Sequence, residues 1–202
     1  ISKIKIIAKT RTLRSFYIFF ALPAMIFFLR FLMQFTGCDY YNPLCRTIAS
    51  ITSPFLRATN AISFLKTRNN VHYGALLWTF LLGEIGYGSY FVFFGKNFAF
   101  DFASIVFIFV VSFIFTIWAI INLLFYLLLP CAILSWFPSM ASWSLLFRQL
   151  TSPIIAPLDR FIPPIGVISL SFMVGFFLMS FVNYSAMPFV IYKLINLLVG
   201  IL

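Results

Sequence analysis

Four long apolar runs divide the chain: Phe16 to Phe35, Val71 to Phe94, Phe102 to Phe137 and Val167 to Met187. None shows the polar–apolar alternation of a membrane-barrel strand. At 1.5 Å per residue each is long enough to cross a hydrocarbon core of about 30 Å as a helix. The pattern predicts an all-α membrane protein with four transmembrane helices, at about 16–36, 71–94, 102–130 and 167–187. The third run carries no charge and outlasts the bilayer, so Pro130 is predicted to break or bend it. Pro23 is placed to kink the first span, and Pro188 to close the fourth.

Between the paired spans the pattern becomes amphipathic. Asn42-Pro43 and Ser53-Pro54 each offer a side-chain cap followed by proline at the first helical position. They predict two short interfacial helices within 43–66. One face would hold Arg57, Asn60, Ser63 and Thr67, and the apolar face Phe55, Ala58, Ile62 and Leu65. Such a strip either lies among lipid headgroups or packs on the protein's own bundle. Thr52-Ser53-Pro54 recurs as Thr151-Ser152-Pro153, inside a second interfacial stretch at 139–163. There Pro157 is predicted to interrupt the helix that Pro153 begins. The organisation is therefore a basic segment, 1–14, followed by two similar repeats, 15–100 and 101–202. Each repeat has a span, short interfacial or re-entrant helices, and a second span.

Composition agrees with a membrane setting. Of 202 residues, 63% are hydrophobic and 9% charged, against roughly 45–50% and 25% in soluble domains. The net charge of +10 does not point to nucleic acid, because the basic residues flank apolar spans rather than covering a folded soluble face. In that position they set topology and meet anionic headgroups. Five positive charges and no negative one in residues 1–14 predict a cytoplasmic N-terminus. The charges in 46–68 oppose that orientation. His72 is the sole histidine, and Cys38, Cys45 and Cys131 form no metal pattern, so no metal or other cofactor is expected. With only Asp39, Glu84, Asp101 and Asp159 as acids, no base–nucleophile pair stands out, and the chain does not read as an enzyme.

Two side chains stand out as ion- or proton-handling candidates. Glu84 lies among Gly83, Gly86 and Gly88 in the second span, where a carboxylate must be protonated, paired or in a wet cavity. It is either a functional acid or a packing residue. Arg30, near the end of the first span, either snorkels to the interface or meets an acid within the bundle. Arg46, Arg57 and Arg160 are candidates for the headgroup region. Ser112 and Asn122 read as interhelical hydrogen-bonding groups. Cys38 and Cys45 are either a disulfide or two buried thiols.

The motifs also carry a family resemblance. Arg30, Gln34, Gly37-Cys38-Asp39 and Asn42-Pro43, followed by Pro54, resemble the first repeat of the YggT (YlmG) family of small bacterial membrane proteins. Ser135-Trp136, Pro153, Asp159-Arg160, Pro163 and Gly166 resemble the second. The likeness covers roughly 27–75 and 131–180. The family pattern has Arg-Arg where Asp159-Arg160 stands, and an Asp where Ser169 lies. It has Pro-Leu-Arg-Arg where this chain has Ala58 to Ala61. A phosphate-binding role for the arginine pair would therefore fall to Arg160 with Arg57.

The resemblance implies a non-enzymatic inner-membrane protein associated with osmotic stress and ion homeostasis. Chloroplast and cyanobacterial relatives are linked to cytochrome maturation and to division. Two functions fit the residues. One is a homo-oligomeric ion channel or transport module, with Glu84 or Arg30 as the selecting charge. The other is a scaffold that binds other membrane proteins through its Phe-rich surface. Membrane lipids and further copies of the chain are the expected partners.

Overall fold

The computed structural model describes residues 21–38, 41–59, 71–94, 102–134, 137–162 and 170–199, and all the regular elements in them are helical. In chain order these are α1 (Ala21–Phe35), α2 (Pro43–Thr59), α3 (Gly74–Phe94), α4 (Phe102–Leu134), a 3₁₀ turn (Pro138–Met140) and α5 (Ala141–Phe161). There follow α6 (Leu170–Phe181), a π-helical turn (Val182–Ala186) and α7 (Met187–Val199). The long α4 is the central post: α3, α5, α6 and α7 all pack on it.

Among the described residues, two helical stretches are long and apolar enough to cross a membrane: Phe102–Leu134 and Ser171–Leu194. Only 22% of the most apolar window of each is buried within the protein. The core helix of a soluble domain would be mostly buried. Here Phe109 and Phe113 on α4 and Phe177, Leu178 and Phe181 on α6 point outward, while Ser112, Thr116, Asn122 and Asn183 are buried. Apolar side chains outside and polar ones inside is a distribution suited to lipid rather than water as the solvent. The predicted first span starts in residues outside those described, which leaves α1 as a shorter apolar helix.

α1 ends as the sequence dictates. Gly37 has φ +66°, a left-handed conformation that costs glycine no steric penalty. Its N–H donates to the Gln34 carbonyl at 3.3 Å, and the Cys38 N–H donates to the Met33 carbonyl at 2.9 Å. That is the Schellman arrangement, and Cys38 turns back into the same core cluster as Met33. α2 then begins at its predicted cap: the Leu44 N–H donates to Asn42 Oδ1 at 3.0 Å, with Pro43 in the first helical position. Cys38 and Cys45 are not joined by a disulfide, and both are buried.

The internal prolines of α2 and α5 do not end the helices that hold them. Instead of two short helices, α2 runs unbroken through Pro54, and α5 through both Pro153 and Pro157. In α5 the residues four apart, Gln149, Pro153 and Pro157, form one exposed strip. The carbonyls that the missing N–H groups leave over thus face the surroundings, where other donors reach them. In α2, Pro54 is likewise exposed, and so is Ser50, whose carbonyl it leaves over. The hydroxyls of Thr52 and Ser53 bond the neighbouring carbonyls of Ile48 and Ala49. Pro130 does not break α4 either, since it falls in the last turn before Leu134, where one lost bond interrupts little. Nor does Pro188 close the last helix: the π-helical turn before it, with the Met187 N–H bonded to the Val182 carbonyl, carries the chain on into α7.

The buried face of α2 also differs from the expected one. Cys45, Thr52, Leu56 and Thr59 are buried, whereas Phe55 and Ala58 are exposed. Threonine reads as polar in a sequence, yet here its hydroxyl is satisfied by a carbonyl of its own helix: Thr52 to Ile48 at 2.7 Å and Thr59 to Leu56 at 2.8 Å. Asn60, Ile62, Ser63, Leu65 and Thr67 lie outside the described residues.

One core cluster joins the two amphipathic helices. Leu44, Cys45 and Ile48 of α2 and Trp143, Leu146 and Leu150 of α5 meet Phe28, Leu32 and Met33 of α1 and Leu127 of α4. α2 and α5 therefore sit at the same end of the bundle. Thr52 and Thr151, the first residues of the recurring triplet, are both fully buried there. Thr151 bonds the Phe147 carbonyl at 2.8 Å, matching the bond of Thr52 to Ile48.

Candidate functional site

Three elements converge on a cavity of about 190 Å³ lined, among the described residues, by Arg30, Ser53, Leu56, Arg57 and His72. α1 brings Arg30 one turn before its end. α2 brings Ser53, Leu56 and Arg57 from its second half, and the turn ahead of α3 brings His72. The residues that place these groups are identifiable. Gln34 Oε1 accepts the His72 backbone N–H at 3.1 Å, fixing the turn to α1. Trp78 Nε1 donates to the Phe55 carbonyl at 3.0 Å, fixing α3 to α2. Phe27, Phe55 and Trp78 pack around that bond, Phe55 edge-on to the other two rings, with ring centroids 5.5 to 5.9 Å apart.

His72 is buried and held on both sides. The Gly74 N–H donates to its Nδ1 at 3.2 Å. A side chain at Gly74 would run into Thr59 Oγ1 and the His72 ring, whose Cε1 and Nδ1 would lie 2.9 Å from the added carbon. Glycine is therefore required for the close approach. A neutral ring that accepts at Nδ1 carries its proton on Nε2. Burial lowers the His72 pKa from its ordinary 6.5; the Arg30 charge lowers it further, and a backbone hydrogen bond partly opposes both. His72 lies in the turn, two residues before α3 begins.

Glu84 is elsewhere. It lies ten residues beyond Gly74, about 15 Å along α3, and is not part of the cavity lining. Next to it, Gly83 lets α4 come so close that Thr116 Cβ would lie 2.9 Å from an added side-chain carbon. Glu84 is half-buried, and its Oε1 is buried with no hydrogen-bond partner among the described residues. Arg30 and Glu84, the two ion-handling candidates, are thus not brought together.

A second polar cluster joins α4 to the π-helical turn. Trp118 Nε1 donates to Asn183 Oδ1 at 2.6 Å, and Asn183 Nδ2 donates to Asn122 Oδ1 at 2.9 Å. Asn122 Nδ2 in turn donates to the Trp118 carbonyl at 2.9 Å. The wider turn at Val182–Ala186 sets Asn183 inward, where it is 1% exposed. π-helical turns recur where a helix must re-aim a side chain.

Of the other candidates, Arg46 and Arg160 are exposed at opposite ends of α2 and α5, and neither lines the cavity. Pro43, Pro54 and Pro153 take helical positions in α2 and α5. Asp39, Asp101, Ser135, Trp136, Pro163 and Gly166 lie outside the described residues. The sequence reading missed His72 and Trp118 as site residues. A lone histidine just ahead of an apolar run was the available signal for the first, and an indole one turn before Asn122 for the second.

A family model described as CCB3/YggT matches residues 111–190, from mid-α4 into α7. A Haemophilus influenzae protein entitled "Uncharacterized protein" is 33% identical over 164 residues, 80% of this chain and 83% of its own. A Vibrio alginolyticus protein encoded in the proC 3' region is 32% identical over 167 residues, 82% of this chain and 87% of its own. The Escherichia coli K12 protein YggT is 27% identical over 172 residues, 80% of this chain and 81% of its own. No solved structure matches.

Proposed function

Because the chain belongs to the CCB3/YggT family, we propose that it is a non-enzymatic, multi-pass protein of the bacterial inner membrane that acts in ion homeostasis. In this reading it has four spans in two similar repeats: α1, α2 and α3 form one, and α4, α5 and the α6–α7 helix the other. The common position of α2 and α5 at one end of the bundle supports the duplication, and the outward apolar faces of α4 and α6 support immersion in lipid. Copies of the chain assemble into a transport module that supports growth under osmotic stress.

The observation that carries ion transport is Glu84. An acid in mid-helix, flanked by glycine and with a buried oxygen lacking a hydrogen-bond partner among the described residues, is expensive in a bilayer and marks an ion or proton path by default. The test is ion flux into liposomes holding the purified protein. Wild type should conduct, and Glu84→Gln should lower flux by about tenfold or more, on the scale of losing one charged group from a permeation site. No flux at any potential ends the transport reading, and flux indifferent to the substitution removes Glu84 from it.

A scaffold that binds other membrane proteins is the second reading. In its favour, Asn122, Asn183 and Trp118 bond one another, so the polar groups that join α4 to the π-helical turn are committed to the protein rather than to a permeating ion. A stoichiometric membrane-protein partner recovered in mild detergent supports it, and repeated recovery of the chain alone counts against it.

A further inference from the structure

We propose that the cavity between α1, α2 and the turn before α3 is a phosphate-binding site, gripped by the guanidiniums of Arg30 and Arg57 with the His72 imidazole as a third donor. Among the described residues, the side chains that line it are two arginines, a histidine, a serine and a leucine, with no carboxylate among them. Two planar guanidinium forks from different helices suit an anion with several oxygens, as a phosphate has. Serine is not among the donors: the Ser53 hydroxyl is committed to the Ala49 carbonyl. The histidine donor is preset, because Gly74 occupies Nδ1 and leaves the proton on Nε2. Its backbone is pinned through Gln34. At about 190 Å³ the cavity far exceeds the roughly 10–15 Å³ that a single water needs, which leaves room for a larger group such as a tetrahedral anion.

The position also fits the chemistry. α2 is an amphipathic helix with Arg46 and Arg57 on its exposed side, beside the end of an apolar helix. That is the level at which phosphodiester headgroups of anionic lipids lie, and where dissolved phosphate is also met. The same two-arginine grip serves either source. Phosphate binding here does not depend on conduction through Glu84, which lies about 15 Å along α3 from Gly74, so failure of either leaves the other standing.

His72 is the only histidine in the chain, which makes its imidazole NMR signal a single-site reporter. The experiment uses the full chain without a histidine tag, in nanodiscs of phosphatidylcholine alone or with added phosphatidylglycerol. Inorganic phosphate is titrated into the first at constant ionic strength set by chloride. A saturable shift of the His72 resonance with inorganic phosphate identifies a site for the free anion. A shift with phosphatidylglycerol that inorganic phosphate does not reproduce identifies a headgroup site. In either case Arg57→Gln should weaken the response about tenfold or more. Arg46→Gln, exposed on the same helix outside the cavity, should leave it unchanged. The proposal is overturned if neither source shifts His72 beyond the chloride control, or if the two arginine variants behave alike.

Discussion

His72 shows how much a single position can depend on its neighbours. Its ring is buried against Gly74, its backbone N–H is taken by Gln34, and Arg30 repels its protonated form. Burial and that repulsion both favour the neutral ring, so the folded protein binds fewer protons here than the unfolded chain does. The neutral ring therefore contributes stability that is fully present above the ordinary pKa of 6.5 and is lost as pH falls below it, toward the lowered folded-state value. An NMR titration of the lone imidazole should give a midpoint below 6.5, and Arg30→Gln should move it upward. A wild-type midpoint at or above 6.5 would contradict the burial of the ring, and no response to Arg30→Gln would contradict the placement of Arg30 beside it. Little of this was legible in the sequence. Arg30 was visible as a charge near the end of an apolar run, but its companions come from positions 53, 57 and 72, and no local spacing announces a site assembled from three elements.

At the scale of elements the sequence told more. Asn42-Pro43 marked the start of α2, because a cap is local chemistry, and the left-handed Gly37 that ends α1 is of the same local kind. The internal prolines misled, because whether a proline ends a helix depends on which way its orphaned carbonyl faces, and that is set by packing. The buried strip of α2 was misplaced for a related reason: a threonine bonded to its own helix behaves as an apolar residue. Asn122 was read correctly as interhelical, but the π-helical turn that delivers Asn183 to it has no sequence signature beyond the nearby Pro188. A double-mutant cycle of Asn122→Ala and Asn183→Ala, read as unfolding free energy in mixed micelles, should give a coupling of about 0.6–1.7 kcal/mol, the range of interhelical hydrogen bonds in membranes. Additive single effects would mean that the bond does not hold α4 to the last helix.

For the molecule as a whole, the decisive relation is between α2 and α5. The repeated Thr-Ser-Pro suggested a duplication, and one shared core places both helices at the same end of the bundle. If each repeat is a span, an amphipathic helix and a second span, the chain makes two crossings per repeat, and both amphipathic helices must lie on the same membrane face. The three native cysteines are buried, so single cysteines introduced at exposed positions can be read against a low background. Ser50→Cys on α2 and Gln149→Cys on α5 are two such sites. They should be labelled with a membrane-impermeant thiol reagent in spheroplasts and in inverted vesicles. The four-span, two-repeat account predicts that both sites react in the same preparation and are protected in the other. Labelling from opposite sides would contradict it.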